Sequence, residues 1–233
     1  MRPSSSVGGR WGWCVAAVCV AAVTLAACRT GDKDRAAATA PASVSPPKPA
    51  VAGPPEWRPG DRWVYEWTSG SESGTKTVDV METREVNGVR YYVVRLSDVD
   101  HYYTSELHWA AAIRNSTVEA RMVPPHPWFV WPLAVGRRWV YQGTWEDRGV
   151  TRPVNDTFAV VAIEPVEVPA GTFRAVKLAR ESSGQALDEY WYVSAVRSYA
   201  RWIGKRGDVT FEERLREYRA APRLIPESEP PRP

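Results

Sequence analysis

The chain has 233 residues, with 30 lysines and arginines against 27 acids, three histidines and three cysteines. Cations and anions are interleaved, as in Glu212-Glu-Arg-Leu-Arg-Glu-Tyr-Arg219, so the basic footprint that nucleic acid requires is missing. Cys14 and Cys19 precede Cys28, which leaves the body no thiol for a disulfide, a zinc site or a nucleophile.

In chain order, the first element is an address. Met1-Arg2 and Arg10 supply positive charge, no acid occurs before Asp32, and the 17 residues from Trp11 to Ala27 are almost wholly apolar. Charge, a short apolar run and small residues before a cleavage point are the parts of a signal peptide, here 1–27. The run falls short of the roughly 20 residues that span a bilayer. Leu25-Ala26-Ala27-Cys28 resembles the lipobox of bacterial lipoproteins at all four positions. The resemblance implies cleavage between Ala27 and Cys28, acylation of Cys28, and attachment of the protein to the membrane through those acyl chains. Several chains anchor stably where one is marginal. Arg29 stands where an aspartate would, by the same resemblance, favour retention in an inner membrane. Outer-membrane placement is therefore expected if the organism has two membranes.

A tether follows. Residues 28–55 are rich in Ala, Pro, Ser and Gly, with Pro41, Pro46, Pro47, Pro49, Pro54 and Pro55 and no aromatic residue. Such a composition buries too little surface to offset ordering entropy, so a disordered spacer is expected. Residues 221–233, again proline-rich, are expected to form a disordered tail.

The body, 56–220, is large enough for one core. Trp63-Val-Tyr65-Glu-Trp67 is echoed by Trp139-Val-Tyr141-Gln-Gly-Thr-Trp145, and Thr77-Val-Asp-Val80 by Thr157-Phe-Ala-Val160. Arg90–Leu96 is echoed within 170–178, and Leu107–Arg114 by Tyr190–Arg197. The order never changes, which reads as a tandem duplication, copy one at 56–130 and copy two at 131–218. Within each copy the apolar period is two, with Trp63, Tyr65 and Trp67 on one face, as in a β-strand. Asn87-Gly88 is a hairpin signal, because a type I′ turn needs two residues tolerant of positive φ. The predicted fold is all-β, a duplicated antiparallel meander of about 8–10 strands curling into a curved sheet, half-barrel or barrel. Segment 208–219 reads as a strand that leads into a short helical turn.

Catalytic motifs do not emerge. His101 and His108 are seven apart and would face opposite ways on one strand, so no metal site is expected. Asp98, Asp100, Glu106 and Asp188 are scattered acids of the solvated kind, and no nucleophile elbow or phosphate loop occurs. Most tryptophans should be core. The exception is the proline-bounded stretch Pro124–Pro132, where Trp128, Phe129 and Trp131 either plug one end of the fold or present a surface to a ligand or partner.

Val166–Lys177 with Glu189–Val193 resembles a strand pair of uncharacterised bacterial envelope proteins, themselves similar in layout to the half-barrels of lipoprotein-localisation factors. That resemblance implies a concave apolar face and no catalytic residues. The expectation is a membrane-anchored, non-catalytic envelope lipoprotein with a scaffold or partner-binding role and no cofactor. Carriage of a lipid or other apolar ligand stands second, and an unrecognised hydrolase third.

Overall fold

The computed structural model describes residues 51–222. The leader, Cys28 with its cleavage site, the tether as far as residue 50 and the tail beyond Pro222 lie outside the described residues.

Twelve strands form one closed antiparallel barrel: β1 (Arg62–Ser69), β2 (Glu72–Val86), β3 (Val89–Leu96), β4 (Val99–Thr104), β5 (Trp109–Arg114), β6 (Thr117–His126), β7 (Arg138–Asp147), β8 (Val150–Val168), β9 (Gly171–Ser182), β10 (Gln185–Val193), β11 (Ser198–Arg206) and β12 (Val209–Arg219). Each strand pairs with its chain neighbours, and β12 closes on β1. The meander expected from sequence is therefore present and fully closed, with twelve strands where the turn signals suggested eight to ten. The undercount has a local cause. Several reversals use residues other than glycine at positive φ, namely Ser97 at 54°, Asn115 at 48° and Ser116 at 64°, so Gly and Pro did not mark them. At Asn87-Gly88 the signal was sound: both residues have positive φ, 52° and 76°. Segment 208–219 is strand β12 without a helical turn, because its Phe211 and Leu215 pair in register with Ser69 and Tyr65 of β1.

The two barrel ends differ. Chain entry and exit lie at one end, which is packed solid. Trp57 sits against Trp63, Tyr92 and Tyr103 at centroid separations of 5.3–5.7 Å, and its indole N–H donates to the Arg197 carbonyl at 2.8 Å. Asp61, fully buried, accepts from the backbone N–H groups of Arg58 and Ala221 and from the Arg197 guanidinium at 3.2 Å. Val51 bridges to Leu133. Val51 and Ala221 are therefore tied into the fold, although composition alone marked them as spacer and tail. Leu133 is 0% exposed, and that burial offsets the ordering cost of the flanking prolines.

The stretch between β6 and β7 turns inward at this packed end. Phe129 is 8% exposed and packs on Tyr192 at 5.1 Å; Trp131 meets the same ring at 5.3 Å; Trp128 packs on Tyr190 at 5.3 Å. The stretch packs inward as a plug would: Phe129 is buried in the core, while Trp128 and Trp131 pack against it and stay half-buried. These rings fill the lumen, where each removes more apolar area from water than it would at the rim.

Candidate functional site

The lumen is polar as well as aromatic, and it holds two ionic clusters. The first begins with β1 and β2, where Tyr65 stands opposite Lys76. Lys76 Nζ forms an ion pair with Glu213 of β12, whose side chain is 2% exposed. Tyr199 completes the cluster. Its hydroxyl accepts from Lys76 Nζ at 3.2 Å and donates to the other Glu213 oxygen at 2.6 Å, while its ring stacks on Tyr65 at 4.7 Å. The Tyr65 hydroxyl donates to the Tyr199 carbonyl at 3.0 Å, leaving Ser198 Oγ, 3.1 Å away, as donor to it. Burial pushes the Lys76 ammonium below its ordinary range against the pull of Glu213. Burial, with Glu213 adding to it, raises both Tyr65 and Tyr199, so each hydroxyl stays protonated and serves as a donor, not as a base.

In the second cluster Tyr141 of β7 stands opposite Asp156 of β8. Asp156 accepts from His126 Nε2 at 2.8 Å and from Arg180 at 3.4 Å, and Arg180 also reaches Asp188 at 2.5 Å. Trp202 donates its indole N–H to Asp188 at 3.0 Å, and the Arg180 guanidinium lies 5.0 Å over the Trp128 ring. Asp188 is 3% exposed, which overturns its reading as a solvated acid: the sequence pattern did not show that Arg180 faces it inside the lumen. Burial works to raise Asp156, but hydrogen bonds from His126 and Ser182 and the charge of Arg180 outweigh it and hold the carboxyl below its ordinary range. Burial depresses His126. The pair is thus a carboxylate accepting from a neutral imidazole. His101, which accepts the Trp109 indole N–H at 3.0 Å, is pushed down to about 4 by burial and then by Lys76.

A cleft of about 500 Å³ opens from the mouth onto the first cluster, lined by Trp67, Thr75, Lys76, Thr77, Ser97, Phe211 and Glu213. Trp67 lies flat on Gly74: a Cβ built there would come 2.8 Å from its ring. From Trp67 an aromatic row continues through Phe211 at 6.1 Å, Trp202 at 5.0 Å and Tyr190 at 5.9 Å. Residues 72–77 of β2 pair with β1, whereas the β2–β3 ladder starts only at Val78↔Leu96. The cleft therefore runs along a strand edge that has no ladder partner among the described residues.

Neither cluster assembles a nucleophile with a base. The described residues contain no group of three or more His, Cys, Asp or Glu side chains able to hold a metal ion. Outward positions carry ion pairs such as Arg62–Asp79, Arg95–Asp100, Arg121–Glu146 and Arg201–Glu212. Sequence reasoning passed over Lys76, Glu213, Asp156 and Arg180. Their one signal was a charged residue on the inward, apolar phase of a strand, as Lys76 is two places from Val78.

No family model and no curated protein matches the chain. Among solved structures, a protein of Parabacteroides distasonis described as a lipoprotein is 13% identical, with a TM-score of 0.39 over 72% of this chain and 97% of that one. The hypothetical lipoprotein YmcC of Escherichia coli is 10% identical, with a TM-score of 0.35 over 70% of this chain and 85% of that one. An exported protein of Bacteroides fragilis with a YmcC-like fold is 11% identical, with a TM-score of 0.38 over 72% and 99%. Likeness at this level carries no functional assignment.

Proposed function

We propose that this chain is a lipid-anchored, non-catalytic lipoprotein of the bacterial cell envelope whose barrel serves as a scaffold for binding envelope components. One observation carries the reading: Leu25-Ala26-Ala27-Cys28 directly follows a positively charged, apolar segment and precedes a proline-rich spacer. Cys28 takes the acyl chains after cleavage behind Ala27, and Arg29 favours the outer membrane where there are two. Carriage of an acyl chain is the weaker reading, because a carrier needs an open apolar lumen, and here Trp63, Tyr65, Phe129 and Tyr192 fill it.

The same reading takes the barrel as two copies of a six-strand unit. Its support is a recurring set of backbone bonds. Gly60 N–H donates to Val80 and Val80 N–H to Asp61; Gly136 N–H donates to Val160 and Val160 N–H to Arg137, all at 2.9 Å. A bulge follows Val80 in β2 and Val160 in β8. The fourth echo noted in the sequence joins β5 to β10, one strand out of step; in strand order β10 answers β4, and both carry a bulge toward the next strand.

Mass spectrometry of protein extracted from membranes tests the anchor. The expected mature chain begins at Cys28 and carries added acyl mass. An unmodified Cys28, or a start elsewhere, overturns it.

A further inference from the structure

We propose that the cleft beside Trp67 is a binding site for a neutral saccharide carrying acetamido groups. The argument begins with charge. Lys76 and Glu213 are the ionic groups that line the cleft, and they neutralise each other. A charged ligand would have to compete with a partner already in contact, so the floor selects for a ligand with no net charge. The ion pair still contributes polar atoms, and Ser97 adds a hydroxyl that both donates and accepts. This is a donor–acceptor set for a polyol, and it does not suit an acyl chain.

The aromatic part of the lining is arranged as a platform. Trp67 is seated flat on Gly74, where any side chain would lift the ring, and Phe211 lies nearly parallel to it at 15°. Both rings are half-buried and stand outside the principal core cluster, which absorbs most other aromatics of the lumen. Flat, partly exposed rings beside a hydroxyl and a carboxylate offer the apolar C–H face of a sugar ring a surface, with polar groups at its rim.

The acetamido requirement comes from the strand edge. Along residues 72–77 the side of β2 turned away from β1 has no ladder partner among the described residues. Its N–H and C=O groups are suited to an amide, and an acetamido group supplies both a donor and an acceptor of that kind. The equivalent edge in the second half is different. Residues 150–155 of β8 also lie beyond the β8–β9 ladder, but that stretch contains Pro153, which has no N–H to offer. Over Gly143, in the place of a cleft, lies the Tyr141 hydroxyl. Saccharide binding is therefore assigned to the seam of β12, β1 and β2, and not to the corresponding place along β7 and β8.

This inference is independent of lipidation at Cys28, so either can fail without the other. The test is isothermal titration of the full-length protein in detergent micelles with chitotetraose, with cellotetraose and an uncharged hexapeptide as comparators. Saturable binding of chitotetraose is expected, weakened about tenfold or more by Trp67→Leu and unchanged by Trp145→Leu, since Trp145 stacks on Trp109 away from the cleft at 5.3 Å. Ser97→Ala should weaken it by a smaller factor, and matched thermal transitions will show that each variant is folded. The proposal is overturned by the absence of saturable chitotetraose binding, by equal binding of cellotetraose, by preference for the hexapeptide, or by Trp67→Leu leaving the affinity unchanged.

Discussion

The two halves of the barrel put opposite charges in the same place. Where the second strand of each half faces the inward tyrosine of the first, β2 holds Lys76 opposite Tyr65 and β8 holds Asp156 opposite Tyr141. Their partners arrive by different routes. Asp156 is answered by Arg180 on the adjacent strand β9, within its own half, whereas Lys76 is answered by Glu213 from β12 at the far end of the chain. One ion pair consolidates a local sheet; the other bridges the strands where the first and last parts of the chain meet. A shared backbone plan thus leaves room for unlike interiors, because the strand phase fixes which positions face inward but not what charge they carry. The open cleft of one half and the filled counterpart in the other follow the same logic at Trp67 and Gly143.

The sharpest way to break this comparison is at Arg180. Arg180→Leu leaves the buried Asp156 and Asp188 facing each other without a cation, and should cost about 3–5 kcal/mol in chemical denaturation. Glu213→Leu should cost less, because Lys76 retains 22% side-chain exposure and can rehydrate. A larger loss from Glu213→Leu than from Arg180→Leu would refute this ordering.

A smaller effect separates the two glycines. At Gly143 an added Cβ would stand 2.8 Å from the Val123 carbonyl as well as against the Tyr141 hydroxyl, so backbone must move. Gly143→Ala should cost about 1–3 kcal/mol. At Gly74 the added atom meets only the Trp67 side chain, which can tilt away. Gly74→Ala should therefore cost less than Gly143→Ala and act mainly on the cleft. Equal losses in thermal unfolding would count against the difference drawn here.

The mildest effect is in pH. His126 and His101 are both held below 6.5 in the folded barrel, His101 at about 4. Between the unfolded and folded values the unfolded chain binds more protons, so stability is full above about pH 6.5 and falls as the pH drops toward 4. Both histidines contribute to that loss in the same direction. Asp156, depressed in the fold, adds its share only below its ordinary value of 3.8. His126→Leu should flatten the slope above pH 5, and an unchanged slope in a series of urea titrations would remove His126 from the account.

Much of this architecture was legible before any coordinates. A period of two through Trp63, Tyr65 and Trp67 is a local property of an extended chain, and Asn87-Gly88 reverses direction because of its own φ preferences, so both could be read from neighbours in sequence. The lumen clusters could not. Lys76 and Glu213 are 137 residues apart, and Trp63 reaches the Val196 carbonyl across 133. No local rule gives the shear and closure that bring such positions together. Asp188 illustrates the limit: an acid among Ala, Leu and Glu reads as solvated until strand pairing sets it beside Arg180 and under Trp202.

The sequence by itself determined the all-β class, the meander and the inward phase of the aromatic strands, because each depends on residues within a few places of one another. Only the tertiary structure decided that the sheet closes, that twelve strands are needed to close it, and that the Trp128–Trp131 stretch turns inward. It also decided that Asp156, Asp188 and Glu213 lie inside, with Arg180 and Lys76 as their partners. These outcomes depend on which distant strands meet. That is set by the burial gained when β12 docks on β1, a global term that no single stretch of the chain contains.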